Sequence, residues 1–108
     1  MENFTNLKLC EYFSENVDVH VSVSYSSGVL TFTGQDLGPL VEEVWGDLDY
    51  EYWYTLDEEA ASQLISVIHG EGDLKAALLE NFSGTEGLSR LKKLCDQHGI
   101  RYRFFSYA

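Results

Sequence analysis

From Val17 to Tyr25 every second residue is apolar: Val17, Val19, Val21, Val23 and Tyr25 alternate with Asp18, His20, Ser22 and Ser24. That period is the mark of a strand buried on one face. Ser27-Gly28 follows as a two-residue hairpin turn, with glycine supplying the positive φ that such turns require. Closing the hairpin on those residues sets Tyr25 opposite Leu30 and Val23 opposite Phe32, with Ser24 opposite Thr31 and Ser22 opposite Thr33 on the other face. Apolar then meets apolar and hydroxyl meets hydroxyl, which predicts a second strand over Val29–Thr33.

The alternation is strongest in the stretch from Asp47 to Glu58, DLDYEYWYTLDE, which predicts a third strand over Leu48–Leu56. Leu48, Tyr50, Tyr52, Tyr54 and Leu56 share one face of an extended chain, and Asp49, Glu51, Trp53 and Thr55 share the other. The tyrosines are the expected core-facing set. The opposite face then carries an indole flanked by carboxylates, a large apolar body where a purely solvated face would have small or polar groups.

Elsewhere the spacing turns helical. Leu9, Tyr12 and Phe13 suggest a short helix within Thr5–Ser14, although Leu7, Leu9 and Phe13 also fit alternation. The run GPLVEEVWG suggests two helical turns, with Pro39 at the first position, Glu42 and Glu43 early, Trp45 packed in the core and Gly46 as terminator. After the third strand, Thr55 and Glu58 have capping-box spacing, and Ala61, Leu64, Ile65 and Ile68 form an inward stripe that ends at His69-Gly70, with Gly70 as the left-handed cap. Asp73 caps a second helix with Leu74, Ala77, Leu78 and Phe82 inward. Ser83 to Glu86 repeats the box before a third helix, which carries Leu88, Leu91, Leu94 and Cys95 and stops at Gly99. Ile100–Tyr107 reads as a last strand, with Arg101, Arg103, Phe105 and Tyr107 on one face. The order β-β-short α-β-α-α-α-β predicts a single two-layer α+β domain spanning 1–108, with a four-stranded antiparallel or mixed sheet and helices over one face.

Length and composition agree with one domain: 108 residues hold a core without disulfide or metal staples, and 14% aromatic content is too rich for a disordered chain. Charge changes the picture more. Residues 1–74 carry fifteen Asp and Glu against Lys8 alone, whereas residues 75–108 carry six Lys and Arg against three acids, for a net −11. With no Lys or Arg between Lys8 and Lys75, there is no basic face for phosphate, so nucleic acid is not an expected partner. A basic protein is the electrostatically natural one, while the same acidity also serves solubility. The N-terminus lacks a basic and apolar leader pattern and no segment reaches the length of a membrane span, so a cytoplasmic location without membrane contact is expected, with Cys10 and Cys95 as reduced thiols.

Tests for chemistry return little. Cys95 and His98 lie three apart, but Cys95 continues the leucine stripe, and His98 and His69 suit helix ends. His20 belongs on a solvated strand face. The carboxylate pairs lack the neighbours that would set one acid apart from another, the spacing of a calcium loop is missing, and so are phosphate-loop, nucleophile-elbow and zinc-protease motifs. No catalytic residue, metal site or cofactor is expected. The candidate site is a partner-binding set made of Trp53, Asp49, Glu51, Asp47, Glu43 and Glu42, with Trp53 as anchor and the acids as steering charges. A small acidic α+β domain with an aromatic-rich sheet resembles, in size, charge and composition, the bacterial immunity proteins that neutralise basic toxins. That resemblance implies a non-enzymatic inhibitor of a basic partner. The alternative is a small-ligand or metal-binding domain with a tyrosine-lined pocket between sheet and helices.

Overall fold

A computed structural model describes residues 1–39 and 49–107. Among these, β1 (Phe4–Phe13), β2 (Asp18–Ser26), β3 (Val29–Leu37), β4 (Asp49–Leu56) and β5 (Arg103–Tyr107) form one five-stranded antiparallel sheet in the order β1-β2-β3-β4-β5. Helices α1 (Glu58–Val67), α2 (Leu74–Phe82) and α3 (Gly87–His98) cover one face. The short helix expected around Glu42 and Glu43, Trp45 in it, and Asp47 beyond it all lie outside the described residues.

The hairpin takes the expected register in all four pairs, with Ser26 closing on Val29. Both turn residues have positive φ, 50° at Ser27 and 83° at Gly28, which is the backbone of a primed turn matched to strand twist. The Ser27 amide donates to Asn3 Oδ1 at 3.1 Å and helps hold a non-glycine residue in that conformation. β3 runs on to Leu37, four residues past its expected end.

The N-terminal segment is a strand and not the helix expected within Thr5–Ser14, so the sheet has five strands rather than four. Two bulges explain the misreading. Phe4 pairs with Tyr25 and Leu7 with Val23, leaving one extra residue at Asn6, whose φ is 53°. Lys8 pairs with Ser22 and Cys10 with Val21, leaving Leu9 as a second extra residue. Each insertion breaks the period of two, so the residues turned toward the core become Phe4, Leu7, Leu9 and Cys10, at nearly helical spacing. Phe13 of the supposed helical stripe is 65% exposed on the opposite face, edge-on to His20.

The layers meet over Val23, Leu30, Phe32 and Leu56 of the sheet and Ala61, Leu64, Leu78, Phe82, Leu91 and Cys95 of the helices, all essentially without solvent contact. Phe32 and Phe82 cross edge to face at 5.7 Å and join the two layers. Burying each such ring stabilises by roughly 1.5–3 kcal/mol.

The inward stripes of α1 and α2 are those expected, but several ends differ. Thr55 and Leu56 still pair within the sheet, opposite Thr31 and Leu30, so α1 is capped instead by Asp57, whose carboxylate accepts from the Ala60 amide at 2.9 Å. At its far end His69, not Gly70, takes the left-handed conformation, with φ 57°. Asp73 caps α2 as expected, accepting from Ala76 at 3.1 Å. No capping box opens α3: Ser83 turns back to the Leu79 carbonyl, and Glu86 makes no side-chain cap bond. Arg90 instead reaches back across the joint, donating from Nε to the Asn81 carbonyl at 2.9 Å and from Nη2 to that of Ser83, and so satisfies carbonyls at the end of α2. Gly99, at φ 65°, ends α3, and the Ile100 amide closes on the Cys95 carbonyl at 2.9 Å.

Candidate functional site

Pairing along β4 decides what each face carries. On the helix side Tyr54 stands between Phe32 and Phe104, and Leu56 lies opposite Leu30; Tyr50 and Tyr52 share that side of the sheet, and Leu48 lies outside the described residues. Tyr52 lies across from Gly34, its ring seated over the glycine so closely that a Cβ there would fall 2.0 Å from Tyr52 Cε2. Its hydroxyl donates to Asp36 Oδ1 at 3.0 Å. Burial raises the Asp36 carboxyl, with the Tyr52 bond opposing, and burial with the nearby Asp36 charge raises the Tyr52 phenol. Cys10, next to this pair, is also raised by burial first and Asp36 second. All three groups are biased toward their protonated forms, the reverse of an activated thiolate.

Among the described residues no helix covers the opposite face. Its central row runs Lys8, Ser22, Thr33, Trp53, Phe105, and the next runs Glu11, His20, Gln35, Glu51, Tyr107. To either side lie Ser24, Thr31, Thr55, Arg103 and Asp18, Leu37, Asp49. Serines and threonines of β2 and β3 form a low polar floor beside a wall of rings on β4 and β5. Trp53 is half-buried because Phe105 lies against it, ring centroids 5.4 Å apart. Phe105 itself is 61% exposed and Tyr107 68%.

The chain matches no family model, no curated protein and no solved structure. Function therefore has to be read from the geometry of this face.

Asp49 and Glu51 are brought together. Gln35 Nε2 donates to Asp49 Oδ1 at 3.2 Å and, at a longer 3.5 Å, to Glu51 Oε1, so one amide orients both half-buried carboxylates. Among the described residues no basic side chain bonds them: the ion pairs there are Lys8 with Glu11 at 2.7 Å and Lys92 with Asp96 at 3.6 Å, and neither involves them. Arg103, in the row beside Trp53, likewise meets no carboxylate among the described residues. Of the expected site residues the structure thus joins Trp53, Asp49 and Glu51, while Glu42, Glu43 and Asp47 fall outside the described residues.

Phe105, Tyr107 and Gln35 belong to the same surface and were not in the expected set. The alternation of Ile100–Tyr107 already put Phe105 and Tyr107 on the face of Arg103; what was missing was the β4–β5 register that sets them beside Trp53 and Glu51. Gln35 carries no such signal, since the alternation predicts a second strand that ends at Thr33.

The remaining candidates stay apart. Cys95 is fully buried, with its thiol pushed up to about 11 chiefly by burial, while His98 is exposed at the end of α3. Among the described residues no three His, Cys, Asp or Glu side chains gather as a metal-ligand set, and no helix is long and apolar enough to cross a membrane.

Proposed function

We propose that this domain is a non-enzymatic, acidic protein-binding module, an immunity-type inhibitor acting in the cytoplasm, which neutralises a basic protein through the open face of its sheet. The observation that carries the reading is the Trp53–Phe105 ring pair bordered by Asp49 and Glu51, two carboxylates oriented by Gln35 and bonded to no cation among the described residues. A flat aromatic patch provides the desolvated anchor of a protein interface, and partly buried acids beside it favour Lys or Arg on the partner. The net charge of −11 steers such a partner from a distance.

The test is a kinetic binding series on a basic partner recovered from lysate, run across ionic strength. Trp53→Ala should speed dissociation and weaken binding by roughly 2 kcal/mol or more, the range of a hot spot, while the variant still folds. Reversing Asp49 and Glu51 to Lys should slow association and flatten its salt dependence, because exposed charges act mainly on encounter and are screened. A Trp53→Ala protein that binds normally, or an association rate indifferent to salt and to the reversals, removes the proposal.

A further inference from the structure

The two edges of the sheet are built differently. β1 carries two bulges within seven residues, a left-handed Asn6, and the charges of Lys8 and Glu11. One of its carbonyls, that of Leu9, is covered by the Gly84 amide at 2.9 Å. These are the devices by which a sheet discourages another strand from adding to its edge. β5 has no bulge and no left-handed residue, and its one charge is Arg103 at its start. Its five residues pair with β4 in unbroken register, its outer edge meets no other described strand, and all five are exposed. Three large rings stand on it, Phe104 at 51%, Phe105 at 61% and Tyr107 at 68% exposure.

We propose that β5 pairs antiparallel with β5 of a second copy of this chain, joining two sheets into one of ten strands about a two-fold axis at Phe105. The register is self-complementary. It sets Phe105 against Phe105 of the second copy, Phe104 against Ser106, and Arg103 against Tyr107. In the monomer Tyr107 is flanked by Glu51. Each Arg103, which meets no carboxylate among the described residues, would then lie over the second copy's Tyr107 ring with that copy's Glu51 one strand further along the row.

Charge selects a second copy over the basic partner proposed above. β5 carries Arg103 and no acid, so a basic strand added to this edge would meet like charge, whereas a second copy brings its own Glu51. The available area is compatible with a modest dimer. Covering most of the three rings on both copies removes on the order of 600 Å² of aromatic surface, and the strand edges and Arg103 stems bring the total toward the ~1,000 Å² of the smallest specific interfaces. The two-fold axis is perpendicular to the sheet, so both Trp53 faces look the same way and form one continuous surface. The pairing does not depend on the proposed function, since it is argued from the strand's edge and shares only the Phe105 ring with that reading.

Sedimentation equilibrium of the full chain tests it. A reversible dimer is expected, with a dissociation constant on the order of 10–100 μM. Phe105→Lys puts like charges on the axis and should weaken dimerisation at least about 30-fold. Because Phe105 also touches Trp53, a second pair of variants keeps the test independent of that contact: Arg103→Glu should weaken the dimer, and adding Glu51→Arg to it should restore association. Slowed amide hydrogen exchange in β5 at high concentration would place the contact on this strand. A monomer up to about 1 mM overturns the proposal, and so does a dimer indifferent to all of these changes.

Discussion

Replacing Gly34 by alanine probes the contact in which the Tyr52 ring sits on the glycine of the neighbouring strand, and its effect can be worked out from the structure. The added Cβ would lie 2.0 Å from Tyr52 Cε2 and 2.2 Å from Cζ, far inside contact distance, so the ring has to leave its seat. Overpacking of this kind costs about 1–3 kcal/mol. Moving the ring also breaks the 3.0 Å bond from Tyr52 to Asp36, and a half-buried hydrogen bond to a carboxylate contributes about 1.5 kcal/mol. Against this, alanine restricts the unfolded chain more than glycine and recovers about 0.5 kcal/mol. The net cost is about 3 kcal/mol, which for a domain of this size lowers the melting temperature by roughly 12 °C. The assay is urea unfolding of a double-mutant cycle with Tyr52→Ala. Without the ring there is nothing to collide with, so Gly34→Ala should become neutral or slightly stabilising, giving a coupling of about 3–3.5 kcal/mol. Gly34→Ala costing under about 0.5 kcal/mol in the intact protein, or costing the same with and without Tyr52, would refute the close seating of the ring on the glycine.

Two further outcomes follow from burial. Cys95→Ala should cost about 1 kcal/mol or more in urea unfolding while leaving partner binding unchanged, because the thiol serves the core and not the site. Since its pKa is about 11 in the fold against an ordinary 9.0, the thiol's contribution is complete below pH 9.0 and is lost as pH rises through 11, so the alanine variant's deficit should narrow on the alkaline side. Asp36 is raised above its ordinary 3.8, so its stabilising form is the protonated one, present at low pH and lost as pH rises through the folded value. Asp36→Asn, which can still accept from Tyr52, should therefore gain on the parent protein at pH 7, and the gain should vanish below pH 3.8, as measured by urea midpoints at the two pH values.

What the sequence disclosed tracks how regular each segment is. β2, the hairpin and the two faces of β4 were legible because the period of two runs unbroken through them, and cross-strand chemistry then left one register. β1 was misread because two inserted residues turn alternation into near-helical spacing, and nothing in FTNLKLCEYF marks Asn6 and Leu9 as the inserted ones. The ends of α1 and α3 were misassigned for a related reason. Thr55 and Ser83 have the chemistry of caps, but Thr55 is claimed by the sheet, leaving Asp57 to cap α1, and Ser83 is claimed by the preceding helix, whose last carbonyls Arg90 also satisfies. Trp53 was rightly placed opposite the helices, yet its cover comes from Phe105, about fifty positions away, through a strand pairing that local pattern does not encode.

Gln35 shows why the acidic pair matters beyond its charge. Two carboxylates two positions apart on one strand face repel each other, and in free solution their side chains would turn away. The Gln35 amide instead draws both toward the same side of β3, and half-burial limits their other rotamers. A carboxylate has lone pairs to spare after accepting one amide hydrogen, so an arriving Lys or Arg need not displace Gln35 to be bound. Part of the ordering and desolvation that a binding event would otherwise require is therefore already done in the free protein, and the cost falls on folding instead. The arrangement also accounts for the use of glutamine over lysine at this position. A lysine would hold the same two acids more strongly but would cancel the negative potential that, on the proposed reading, draws the partner in, whereas the neutral amide positions the charges and leaves them unspent.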